Sequence, residues 1–103
     1  MYRITFVSED QASTAKWKLG GLPGFRFSMM WLKKDIHSID VVTVCSSQLP
    51  KLQSFATERS GTLHKLTDDE VRREYCWLCM SELPFEGANE CVGCHTAQCP
   101  EQN

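Results

Sequence analysis

The chain has 103 residues, 42% hydrophobic and 23% charged, with a formal charge of -2 and a pI near 5.9. Those values describe an ordinary globular protein of one domain, or one small domain with a short appended module. They exclude a polybasic nucleic-acid coat, an acidic tail protein, and any run of about 20 apolar residues able to cross a bilayer.

Residues 2–7 alternate Tyr2, Ile4 and Phe6 with Arg3, Thr5 and Val7, which predicts a strand. Polar and acidic residues follow at once, so this segment does not read as a signal peptide. Residues 11–19 fit either a short helix or a loop. Gly20-Gly21-Leu22-Pro23-Gly24 is a turn by composition, with Pro23-Gly24 suited to the centre of a type II turn. The aromatic and methionine-rich run Phe25–Leu32 predicts a second strand, and the β-branched run Ile39–Cys45 a third. A helix capped by Ser46 or Ser47 is expected over roughly 48–59, ending at Ser60-Gly61. Thr67-Asp68-Asp69-Glu70 is a capping box and opens a helix to about Tyr75. His37 and His64 stand alone and are expected at the surface or in caps.

Composition changes at residue 76. Residues 1–75 hold all eleven Lys and Arg against nine acids, giving +2. Residues 76–103 hold no Lys or Arg and four acids, giving -4, together with five of the six cysteines. Two domains follow as an expectation: a small α+β domain over 1–75, and a cysteine module over 76–103 packed on it. In a reducing cytoplasm, where this chain is expected, clustered cysteines are metal ligands more often than disulfides.

The module reads Cys76-x-x-Cys79, eleven residues, Cys91-x-x-Cys94. A tetrahedral zinc holds thiolates about 2.3 Å away, and each two-residue spacer brings two sulfurs to one edge of that tetrahedron. Pro84, Gly87 and Asn89 provide turn chemistry between the pairs, and Gly93 helps the second turn close. One structural Zn2+ on Cys76, Cys79, Cys91 and Cys94 is therefore expected. His95 or Cys99 is an alternative for one of the four places, and Cys45, ending an apolar strand, is expected in the core. Residues 76–99 resemble four-cysteine zinc-ribbon and treble-clef modules, which implies a zinc-knuckle fold. The spacing is also similar to the zinc finger of Ran-binding nucleoporins, although Trp77 lies inside the first pair and Leu83 stands near that family's asparagine.

Cys91-Val92-Gly93-Cys94-His95 also matches the C-x-x-C-H haem-attachment string. That reading leaves Cys76 and Cys79 without a role. A closed four-thiolate site has no open position for water, and no H-x-E, G-x-S-x-G or phosphate loop occurs, so no enzyme and no small-molecule substrate are expected. The leading expectation is a non-catalytic adaptor or regulator that binds a protein partner through Trp77, Leu78 and Phe85, with Leu83 and Val92 nearby. A chain of this size suits a small inhibitor of a larger host machine, such as a phage-encoded protein. The alternative is a nucleic-acid accessory protein using Lys16, Trp17, Lys18, Arg26, Lys33 and Lys34, because cations interleaved with rings suit a single strand.

Overall fold

The computed structural model describes residues 1–43, 46–76, 78–88 and 90–92. Its architecture is α+β, as expected: a four-stranded antiparallel sheet with three α-helices among the described residues. The strands are β1 (Tyr2–Thr5), β2 (Phe27–Lys33), β3 (Ser38–Thr43) and β4 (Thr62–Lys65), in the spatial order β2-β3-β1-β4. The helices are α1 (Glu9–Gly20), α2 (Leu49–Glu58) and α3 (Asp68–Glu74). The chain divides into two compact units, Met1–Lys65 and Leu66–Asn103. Among the described residues no helix is long and apolar enough to cross a membrane.

Segment 11–19, open between helix and loop in the sequence, lies within α1. Ser8 caps this helix by accepting from Gln11 N at 3.2 Å, and Gln11 Oε1 accepts from Val7 N at 3.1 Å. The helix buries Ala12, Ala15 and Leu19, a face too small in side-chain volume to give a clear periodic signal. The turn that follows has the expected form. Phe25 N donates to Leu22 O at 3.2 Å around Pro23 and Gly24, and Gly24 has φ 76°, which the third position of a type II turn requires.

The expected cap of α2 differs. Ser46–Gln48 form a 3-10 turn, Gln48 is the N-cap without a side-chain bond, and Pro50 occupies the first turn of the helix. β4 was not foreseen. Leu63 is its sole apolar side chain, and register with β1 places it opposite Ile4.

Pairing of β1 with β3 sets Tyr2 opposite Val41 and Ile4 opposite Ile39 on one face of the sheet. These residues join Phe6, Ala12, Ala15, Leu19, Phe25, Leu52, Phe55 and Ala56 in the core of the first unit. The other face carries a charged pair. Arg3 Nε and Nη2 donate to Asp40 Oδ1 and Oδ2 at 2.6 and 2.8 Å, and Asp40 is fully buried. Ser38 shares that face, two residues before Asp40.

Candidate metal centre

The second unit begins with a well-formed helix start. Thr67 Oγ1 accepts from Glu70 N at 3.2 Å and Glu70 Oε1 accepts from Thr67 N at 3.0 Å, so the capping box read from the sequence is present. Arg72 pairs with Asp69 at 2.8 Å on the exposed side of α3. After the helix the chain folds back on itself. Tyr75 and Glu82 form an antiparallel bridge, Cys76 N donates to Ser81 O at 2.9 Å, and Met80 N donates to Cys76 O at 3.0 Å. Leu83 N and Gly87 N then donate to Glu74 O and Arg73 O, each at 2.8 Å. The result is a tight loop whose tip carries the first cysteine pair. Met80 closes it with φ 61°, a left-handed conformation that costs a non-glycine residue about 1–2 kcal/mol.

The loop aims backbone donors at sulfur. Leu78 N and Cys79 N lie 3.3 and 3.4 Å from Cys76 Sγ and donate to it. Such donors stabilise negative charge on a thiolate, the form in which cysteine binds metal. Cys91, twelve residues further on, returns to the same place. The sulfurs of Cys76, Cys79 and Cys91 all lie within 4.8 Å of one another, and Cys79 Sγ and Cys91 Sγ are 3.7 Å apart. A disulfide would hold sulfurs about 2.05 Å apart. Thiolates about 2.3 Å from a common tetrahedral zinc would be about 3.8 Å apart. The observed spacing fits the second geometry. Cys76 and Cys91 are fully buried, Cys79 is half-buried, and Leu83 and Ala88 pack with them.

These three cysteines can therefore hold a metal ion. Cys94, the fourth expected ligand, lies outside the described residues, as do its alternatives His95 and Cys99, the expected contact residue Trp77, and Cys45. Of the expected contact residues that are described, Leu78 is 59% exposed, Phe85 66% and Val92 66%. Leu83 is instead buried beside the cysteines, so it belongs to the small core of this unit.

The six residues of the alternative nucleic-acid surface are divided between two grooves and the two ends of β2. Lys16 and Trp17 border a cleft between α1 and β2, while Lys18 borders a different groove with Phe6, Asp10 and Arg59. Arg26 is exposed just before β2. Lys33 is buried to 9% exposure, and Lys34 lies in the 3-10 turn beyond the far end of that strand. Of the histidines, His64 is exposed on β4, and His37 ends the 3-10 turn with φ 52° while its carbonyl accepts from Phe6 N at 2.8 Å.

An α+β chain with a three-cysteine cluster able to hold a metal ion is the class that fold and site define. Comparison with family models, curated proteins and solved structures finds no match to the chain.

Proposed function

We propose that this chain is a non-catalytic adaptor or regulatory protein acting by protein–protein contact. One structural Zn2+ on Cys76, Cys79, Cys91 and Cys94 would hold its C-terminal unit. The 3.7 Å separation of Cys79 and Cys91, with two backbone donors on Cys76, is the observation that carries the metal part. Four thiolates satisfy zinc without leaving a place for reactive water, so the ion supplies folding energy rather than chemistry. The contact part is supported by Leu78, Phe85 and Val92, large side chains that point away from a core made of Leu83, Ala88 and the cysteines. Exposed apolar groups on a metal-braced loop are preorganised for a partner.

Metal analysis of natively purified protein tests the first part. One zinc per chain is expected, with four thiols that become reactive only after a strong chelator is added. Metal-free protein with six reactive thiols would overturn it. For the second part, Phe85→Ala and Leu78→Ala should keep zinc and fold while abolishing capture of the protein partner. Retention of the partner by both variants would move the contact surface elsewhere.

A further inference from the structure

The first unit carries a second surface that the metal reading does not use. β2 is one of the two outer strands of the sheet, with β4 at the other edge, and its outer side has no strand partner among the described residues. It is seven residues long, with Met29, Met30, Trp31 and Leu32 in succession. Long apolar edge strands are usually blunted, because their open backbone groups pair readily with another extended chain. Here the irregularity in the strand prepares a site beside that edge. Register moves from Phe27↔Thr43 to Met29↔Val42, two residues on β2 against one on β3, so Ser28 is the extra residue of a β-bulge. The bulge places Phe27 on the same face as Met30, which pairs with Val41.

Phe27 and Met30 form one side of a cleft of about 610 Å³, closed on the other by Lys16, Trp17, Gly20 and Gly21 of the α1 terminus. That volume lies within the range of ligand pockets, about 300–1,000 Å³. Trp17 is 83% exposed, the highest value for any large apolar side chain among the described residues. Gly20 and Gly21 add no side chain to this wall, and a Cβ at Gly20 would meet nothing within 4 Å. Lys16 lies on the rim of the cleft and exposed Arg26 precedes the strand, while exposed Lys34 follows the strand's far end next to exposed Asp35.

We propose that β2 and this cleft bind an extended acidic segment of a partner protein. The segment would add as a fifth strand along β2 and seat one aromatic or large aliphatic side chain against Trp17, Phe27 and Met30. Backbone pairing supplies affinity in such strand addition, and the pocket supplies sequence preference. Charge selects this occupant over two others. A second copy pairing antiparallel through β2, centred on Met30, would set exposed Arg26 of each chain opposite exposed Lys34 of the other. A nucleic-acid strand needs cations tracking its phosphates, but Lys18 faces another groove and Lys33 is buried.

The test is selection of random peptides displayed on phage against the full chain in its native metal state, followed by binding measurements on the enriched peptides. The expected peptides are acidic with one large apolar residue. Gly20→Leu, which adds a large side chain at the wall that Gly20 lines, and Lys16→Glu should each weaken them at least about tenfold, with an unchanged melting curve. Hydrogen exchange at the amides of β2 should slow on binding. Phe85→Ala should bind these peptides normally, which separates this surface from the one on the metal loop. The proposal is overturned if no such motif is enriched, or if the peptides bind Gly20→Leu as well as the parent. A Gly20-sensitive dimer in sedimentation would overturn it in favour of a second copy. Gly20-sensitive, steeply salt-dependent binding of oligothymidylate would overturn it in favour of nucleic acid.

Discussion

Replacing Arg3 by Met should destabilise the chain, because it removes both guanidinium bonds from a fully buried carboxylate. Asp40 has no exposed side-chain surface, whereas the Arg3 side chain retains 13%. Two short bonds join them, at 2.6 and 2.8 Å. Removing one partner of a buried ion pair costs about 3–5 kcal/mol, since the remaining charge keeps its desolvation penalty and loses its compensation. A chain of this length has a total stability of about 5–15 kcal/mol. With a urea slope of about 1–2 kcal/mol/M, the midpoint followed by far-UV circular dichroism should fall by about 1.5–5 M. Asp40→Asn should cost less, because the Arg3 guanidinium still reaches water. The double variant Arg3→Met/Asp40→Leu should return to within about 1–2 kcal/mol of the parent, since apolar replacement of a whole buried pair is often neutral or better. If Arg3→Met costs under about 1 kcal/mol, or the double variant equals the sum of the Arg3→Met and Asp40→Leu singles, the pair does not act as described.

Gly61→Ala should destabilise by about 1–3 kcal/mol, because its Cβ would lie 2.9 Å from Ile4 Cγ2 and 3.0 Å from Phe6 Cε1 within a packed core; thermal melting checks this, and an unchanged midpoint contradicts it. Ser38→Ala should be neutral or stabilising by up to about 1 kcal/mol, because the buried Ser38 hydroxyl has no hydrogen-bond partner among the described residues. A loss above about 1 kcal/mol in the same melt would reveal a bond the geometry does not show. Cys91→Ser should abolish metal binding and the exchange protection of the Leu83 and Gly87 amides, while the amides of β1 and β3 stay protected; hydrogen exchange read by mass spectrometry distinguishes these regions.

What the sequence made legible follows from how each element is held. β3 shows in the sequence because β-branched residues dominate it, and α3 because Thr67 and Glu70 write the capping box as a local pattern. α1 was ambiguous because its buried face is mostly alanine, while its largest apolar residue, Trp17, points outward. The pattern Ser8-x-x-Gln11 was the available signal, since both side chains bond at the helix start. β4 had none, because Thr62-Leu63-His64-Lys65 is a strand through its pairing with β1 and not through its own propensity. In the cysteine segment, spacing alone brought out the pairing of Cys76 with Cys79 and the return to Cys91. Spacing could not separate Leu83 from Phe85, because which of two nearby apolar residues turns inward depends on the path set by the Leu83–Glu74 and Gly87–Arg73 backbone bonds.

The two units solve the same problem with different means, and this bears on what their exposed residues are for. In the first, eleven buried residues contributed by strands, helices and the turn before β2 form one core. In the second, the described residues around the cysteines bury only Leu83 and Ala88 with Cys76 and Cys91, little apolar surface to offset the ordering of that loop. A metal on the thiol cluster would replace the missing burial. Folding would then place little demand on the remaining large side chains. Phe85 and Leu78 could be truncated to alanine for about 0.5 kcal/mol or less, as at other exposed sites. Replacing Leu83 would instead cost about 2–5 kcal/mol. On the proposed reading, a loop that folds without Phe85 and Leu78 leaves both side chains available for contact with a partner.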